Sequence, residues 1–247
     1  MKIKNALIIS QFFYPAIGGA ETQALNISIG LIKRGYQVTI ITSLYTKTIL
    51  SNETLGEINI IRCQNLISQT LILLLRGQKQ DVVIWNGLFN KKSLIITLCQ
   101  SLLIFVSKLI NKKNVFRIPS EVDIIAKNYV IKTIFNYSVS NWLPLTNEQL
   151  QYLVNKGVNR SKIIEPPNTI VSNEFFTKRK PKSKSIKTEL IYCGRLINQK
   201  GLNIFIEALN NLNKDMLIEV TFLLSMSVES PEQARTNLKL LKHCSIL

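Results

Sequence analysis

Short, continuous apolar runs that alternate with helical patterns constrain this chain more than anything else in it. The run Ala6-Leu7-Ile8-Ile9, closed by Ser10, offers no polar face. That is the pattern of a strand covered on both sides in a parallel sheet. A loop with Pro15, Gly18 and Gly19 follows it. Ala20, Ala24, Ile27 and Leu31 then recur at helical spacing, and Gly35 behind Lys33-Arg34 is a helix stop. Residues 36–42 form the second strand. A strand-loop-helix-strand unit of this kind opens a parallel α/β sheet.

The alternation continues. Strands are expected at 58–62, 81–85, 114–118 and 161–164. Helices are expected at 66–76, 91–110, 124–137 and 146–155, the last with Thr146 as its cap and Gly157 as its stop. Glu165-Pro166-Pro167-Asn168 then forbids helix, and a run from Lys178 to Lys187 is rich in lysine and broken by Pro181. A fresh unit begins beyond it: strand 188–193, helix 202–212, strand 218–224, and a last helix started by Ser230-Pro231. The expected organisation is an N-terminal Rossmann-like domain over 1–167, a basic linker over 168–187, and a second unit over 188–247. A unit that small buries little surface and reads as the opening of a longer domain.

Apolar residues make up 46% of the 247, which supports a large core. The formal charge of +16 favours anionic partners without choosing among them. Nucleic acid is not expected, because charge alone supports it and no recognition helix or aromatic-basic sheet motif accompanies the charge. Cys63, Cys99, Cys193 and Cys244 lie far apart without metal-ligand spacing, and no secretion signal opens the chain. Reduced cysteines in a cytoplasmic protein, and no metal, are expected. The apolar stretch 93–106 contains Gln100 and Ser101 and falls short of the roughly 18–20 residues of a membrane span. It reads as a helix packed on a sheet, and its flanking lysines leave open that it also touches a membrane surface.

Two places carry the pattern of phosphate chemistry. Gly18-Gly19 at a helix start lets backbone approach a ligand, and the free amides there attract an anion. The second is the strand-to-helix corner Gly194-Arg195-Leu196-Ile197-Asn198-Gln199-Lys200-Gly201. Gly194 ends a strand where only a small residue fits; Arg195 offers a rigid fork of donors and Lys200 a mobile charge. Neither is the dinucleotide fingerprint, which needs three glycines directly after the strand and an acid for the ribose. A nicotinamide oxidoreductase is therefore not expected.

Together these motifs resemble a glycosyltransferase of the GT-B fold, family 4, the "group 1" transferases. The resemblance rests on four features in order. They are Phe13-Tyr14-Pro15 with Gly18-Gly19-Ala20-Glu21, the stretch 31–40, Ile163-Ile164-Glu165-Pro166-Pro167-Asn168, and Gly194-Arg195-Leu196 with Lys200-Gly201. It implies two Rossmann-like domains, the second incomplete here. It also implies metal-independent, retaining transfer of a sugar from a nucleotide diphosphate to a lipid-linked or polysaccharide acceptor, without a cofactor, in cell-surface polysaccharide synthesis. Arg195 and Lys200 would hold the donor diphosphate and serve as the catalytic charges, with Gly194 beside them. Gly18 and Gly19 would close over the same phosphates, and Asn168 would lie at the hinge. A cytoplasmic protein, peripheral at the inner face of the cell membrane, is implied as well.

The chain departs from the family at three points. The family's histidine on a central strand is missing; the corresponding stretch is Phe116-Arg117-Ile118-Pro119-Ser120-Glu121, and the one histidine, His243, lies in the last expected helix. Glu121 is the acceptor-side candidate, with Arg117 and Ser120 beside it. Thr169 stands where the crossing usually has glycine. The family's paired glutamates, Glu-x7-Glu, would fall beyond Leu247; Glu219 and Glu229 come too early. The expectation is therefore a truncated product or one piece of a split enzyme. Its alternative function is that of an inactive remnant, or of a subunit acting only with a partner chain that completes the second domain.

Overall fold

The computed structural model describes residues 4–16, 18–44, 52–76, 80–87, 93–111, 113–118, 128–165, 188–195, 198–211 and 218–225. The chain divides into two compact units, Met1–Val171 and Ser172–Leu247.

The first unit opens with β1 (Lys4–Ser10), α1 (Gly19–Ile32) and β2 (Tyr36–Ser43). It continues with β3 (Asn52–Leu55), β4 (Ile58–Cys63), α2 (Leu66–Arg76), β5 (Val82–Asn86) and α3 (Leu94–Ile110). β6 (Asn114–Arg117), α4 (Tyr129–Ser138), β7 (Asn141–Leu143) and α5 (Asn147–Asn155) follow. The strands form one sheet in the order β3-β4-β2-β1-β5-β6-β7. All neighbours run parallel except β3, which pairs antiparallel with β4. The chain thus builds outward from β1 to one side, then returns past β1 to build the other side from β5.

Strand periodicity sorts the side chains onto two faces. Ala6 and Ile8 of β1 pack with Val38, Ile40, Ile84 and Val115, and α1 covers them with Ala24. Leu7 and Ile9 point the other way, into a cluster with Trp85, Phe116 and residues of α2, α3, α4 and α5. There Phe116 stands edge-on to Phe135 at 5.0 Å and to Trp142 at 5.4 Å between ring centroids. Truncating such a fully buried ring costs about 3–5 kcal/mol. Asn114 is the polar tie of this face. Its amide bonds the carbonyl of Ile104 at 2.9 Å, and its Oδ1 accepts from Ser107 at 2.7 Å.

The structure departs from the sequence reading in three elements. β3 is an added edge strand, Asn-Glu-Thr-Leu, with no apolar alternation because an edge strand needs no core face. β7 has three residues and one buried anchor, Trp142, too short to register as a period. The strand expected at 161–164 is a 3-10 turn, Arg160–Lys162. The Asn159 side chain accepts from the backbone N–H of Ser161 at 3.0 Å and curls the chain, leaving Ile163 bridged to Trp142.

The second unit contains β8 (Thr188–Arg195), a 3-10 turn (Asn198–Lys200), α6 (Leu202–Asn210) and β9 (Ile218–Ser225). β8 and β9 pair in parallel from Thr188↔Ile218 to Arg195↔Ser225. α6 buries Leu202, Ile206 and Leu209. Tyr192, Phe205 and Phe222 stack around one another, 5.3–6.1 Å between centroids. The linker run Lys178–Lys187, the helix expected from Ser230, and Ser120, Glu121, Asn168, Glu229 and His243 lie outside the described residues.

Candidate functional site

In the first unit the order of strands reverses between β1 and β5. In open α/β sheets such a reversal is where ligands bind, at the carboxyl ends of the strands. Ser10 and Asn86 end these two strands and are register partners. Arg117 ends β6 as the register partner of Asn86. The three side chains form one buried chain of hydrogen bonds. Arg117 Nη1 donates to Asn86 Oδ1 at 2.7 Å. Asn86 Nδ2 donates to Ser10 Oγ at 3.0 Å and to the carbonyl of Ala20 at 3.1 Å. Ser10 Oγ donates in turn to the carbonyl of Phe12 at 2.8 Å. Three strands and the first turn of α1 are thereby locked together. Burial lowers the pKa of Arg117, and the nearby Glu21 carboxylate opposes that by favouring the cation.

A second buried arginine holds the other end of the same loop. Arg62, near the carboxyl end of β4, donates through Nη2 to the carbonyl of Tyr14 at 2.6 Å and to the Glu53 carboxylate on β3. Ser43 N and Thr42 Oγ1 both donate to the carbonyl of Gln11, at 3.1 and 3.3 Å. Phe13 anchors the loop in the core. Gln11, Phe13, Tyr14 and Ala20 are therefore each tied to the sheet or the core.

Gly18 caps α1 in an extended conformation that any residue adopts. What its lack of a side chain provides is room: a Cβ there would run into the Glu21 carboxyl group, while one on Gly19 would meet nothing. The first helical bond runs from Thr22 N to the carbonyl of Gly18 at 3.0 Å. The amides before it have no acceptor within the helix. Glu21 thus sets its own negative charge against the positive end of α1, in the place an anionic ligand would seek.

In the second unit the corner after β8 brings Gly194, Arg195 and Lys200 to one sheet edge. Arg195 is the last residue of β8. Lys200 ends the 3-10 turn with an exposed side chain. Tyr192 Oη donates to the carbonyl of Lys200 at 3.0 Å and staples the turn back onto the strand. Burial raises the pKa of that phenol. Gly201 takes the left-handed conformation, φ 64°, which lets the turn feed directly into α6. Its N–H bonds the carbonyl of Asn198 at 3.0 Å, and its own carbonyl accepts from Phe205 N at 2.9 Å. The corner thus presents an arginine position, a lysine and the amide-bearing start of a helix, the elements of an anion site. Gly194 does not end the strand as expected: it pairs with Leu224 inside β8, which runs on to Arg195. A Cβ on it would lie 3.5 Å from Tyr192 Oη and 3.7 Å from the Lys200 stem, ordinary contact that admits a small side chain.

The sequence reading singled out the glycines, Arg195 and Lys200 but missed Asn86, Ser10 and Arg62. A signal existed: β1, β4, β5 and β6 each close on or next to a polar residue after an apolar run. Among the described residues no three His, Cys, Asp or Glu side chains gather as a metal site would need.

No family model and no curated sequence matches the chain. Solved structures share its fold. HepE from Anabaena, in complex with UDP and glucose, superposes with a TM-score of 0.64 at 12% identity, over 98% of this chain and 66% of its own. Sucrose-phosphate synthase from Thermosynechococcus elongatus gives 0.65 at 12% identity, over 97% and 67%. The lipopolysaccharide outer core galactosyltransferase WaaB gives 0.58 at 12% identity, over 97% and 65%. The fold is α/β of the GT-B type, two Rossmann-like units with the second incomplete beside those of the neighbours. The chain spans about two thirds of the length of these proteins.

Proposed function

We propose that this chain is a glycosyltransferase chain of family 4 that binds a nucleotide-diphosphate sugar at the corner after β8. The observation that carries the reading is the strand-turn-helix geometry that sets Gly194, Arg195 and Lys200 at one sheet edge, with left-handed Gly201 opening α6. The fold it shares with HepE, whose structures contain UDP and UDP-glucose, supports a nucleotide sugar as ligand.

In this reading Arg195 and Lys200 face the diphosphate of the donor. As the sugar–phosphate bond breaks, negative charge grows on the leaving phosphate, and the two cations stabilise it more in the transition state than in the ground state. The charge is met by side chains and helix amides without a metal, and retention of the anomeric configuration is carried over from the resemblance to family 4. Gly18 and Gly19 would close over the same phosphates at a second helix start, where the Glu21 carboxylate must give way to the ligand. Glu121 is the acceptor-side candidate. The acceptor is a lipid-linked or polysaccharide hydroxyl, met at the inner face of the cell membrane.

A turnover assay with membranes and a panel of nucleotide sugars tests the reaction. Release of nucleoside diphosphate in the presence of a chelator, with a product of unchanged anomeric configuration, is the expected result. An inverted product, or release that requires added metal, overturns the mechanism.

A further inference from the structure

The last row of the sheet breaks the pattern of the row below it. On the face that α1 covers, Ile60, Ile40, Ile8, Ile84 and Val115 stand side by side across β4, β2, β1, β5 and β6, and all are apolar. Two residues further along the same strands come Arg62, Thr42, Ser10, Asn86 and Arg117, all polar and all buried. Polar groups are costly to bury unless they find hydrogen bonds, so each member of the row needs its partners. Thr42, Ser10 and Asn86 hold the carbonyls of Gln11, Phe12 and Ala20, and Arg117 holds Asn86. Arg62 is met only in part.

Arg62 Nη2 donates to the carbonyl of Tyr14 and to Oε1 of Glu53, while Nε and Nη1 are buried and meet no acceptor among the described residues. The other side chains there with an unmet buried atom, Thr70, Ser138 and Trp142, are neutral. Arg62 carries a full charge, and an unmet buried donor calls for an explanation, an ion among them. The guanidinium is planar, and the two Nη2 protons lie on different edges of it, one beside Nε and one beside Nη1. Glu53 takes one of them through Oε1, and the nitrogen beside it on that edge stays unmet. Carboxylates and phosphates often meet such an edge with two oxygens at once. Glu53 is also free to leave. Its side chain is 29% exposed, and β3, which carries it, is the outermost strand of the sheet.

We propose that Arg62 is an anion-binding residue on the acceptor side: a phosphate or carboxylate group of the acceptor displaces the Glu53 carboxylate and takes Arg62 through two parallel N–H···O bonds. Glu53 is then the internal anion that balances the buried charge until the ligand arrives, and it turns to water when displaced. The exchange replaces a partner on one nitrogen by a partner on two. The site is separate from the donor corner, since Arg62 and Glu53 belong to the first unit while Arg195 and Lys200 belong to the second. The proposal rests on the preceding reading only in calling the ligand an acceptor.

The test is calorimetric titration of the full chain with inorganic phosphate, glucose 6-phosphate, glucuronate and glucose. It is run on wild type and on the double variant Arg195→Ala, Lys200→Ala, so that the donor corner cannot account for the binding. Saturable binding of at least one acidic ligand is expected in both, and none of glucose. Tighter binding of glucose 6-phosphate marks a phosphate group as the ligand, and tighter binding of glucuronate a carboxylate. Arg62→Lys keeps the charge but loses the planar fork, and should weaken binding at least about tenfold. Glu53→Gln removes the competing charge and should tighten binding roughly threefold. A gain of affinity cannot come from a damaged fold, so the second variant keeps the test sound if the first unfolds. Glucose binding as tight as that of the acids, no binding of any acid, or binding that both Arg62→Lys and Glu53→Gln leave unchanged overturns the proposal. Acid binding by the double variant, where wild type binds no nucleotide sugar, removes the enzymatic reading and leaves the Arg62 site standing; the reverse pattern removes the Arg62 site alone.

Discussion

Arg117 and Asn86 end adjacent strands and share a 2.7 Å hydrogen bond inside the protein, 4 and 6% exposed. The bond settles the orientation of the Asn86 amide. With Oδ1 held by the guanidinium, Nδ2 is directed at Ser10 and at the carbonyl of Ala20 in the first turn of α1. A charge on β6 thus positions a helix start two strands away.

Removing that charge should cost stability. Arg117→Ala leaves a buried amide oxygen without its donor, a loss of roughly 1–3 kcal/mol. Arg117→Lys keeps the charge but not the planar fork, and should recover only part of it. Urea unfolding monitored by circular dichroism checks both. A stability equal to wild type in the alanine variant would show that the network holds nothing.

The two glycines of the donor corner should respond in opposite ways. Gly201 has φ 64°, so Gly201→Ala forces a Cβ into the left-handed region at a cost of about 1–2 kcal/mol. Gly194 lies in β8, and an added Cβ meets only ordinary contacts. Gly194→Ala should therefore be neutral or slightly stabilising, by less than about 1 kcal/mol. Thermal melts of the two variants separate them.

Thiol reactivity should follow burial. Cys63 is 2% exposed and Cys193 is exposed. Burial pushes the Cys63 thiol above its usual 9.0, so the fold favours the neutral form. Its contribution to stability is full below pH 9.0 and is lost as pH rises through the folded value. Iodoacetamide with peptide mapping at pH 8 should label Cys193 in the native protein and Cys63 only on unfolding. Rapid native labelling of Cys63 would contradict the packing of β4.

Much of the fold was legible because its strands are buried on both faces. Runs such as Ala6–Ile9 and Val82–Trp85 admit no other simple reading, and Thr146 and Gly157 announce the ends of α5 chemically. β3 and β7 were not legible, since a four-residue polar edge strand and a strand with one apolar anchor leave no period. The turn at 160–162 is set by the Asn159 side chain, a local competition that hydrophobic patterning does not report. Gly194, Arg195 and Lys200 stood out because glycine and fixed charge at a strand-to-helix corner have few structural uses. Asn86 and Arg62 did not, because what they do depends on Ala20 and Tyr14, residues 66 and 48 positions away. The burial of Thr97, Gln100, Ser101 and Ser107 on the inner side of α3 was also hidden. Its sequence shows that polar and apolar residues are both present, while only the structure shows which of them face inward.

The most direct test of the account is calorimetric titration of the chain with UDP-, GDP- and TDP-sugars, in wild type and in Arg195→Ala and Lys200→Ala. Saturable binding of at least one nucleotide sugar is predicted. Each substitution should weaken it at least about tenfold, because hydrogen bonds to charged groups are worth about 1.5–3 kcal/mol. Neither variant should change the melting temperature by more than a few degrees, since Lys200 is exposed and Arg195 ends its strand. Binding that both variants retain at wild-type strength would contradict the placement of the donor phosphates at this corner.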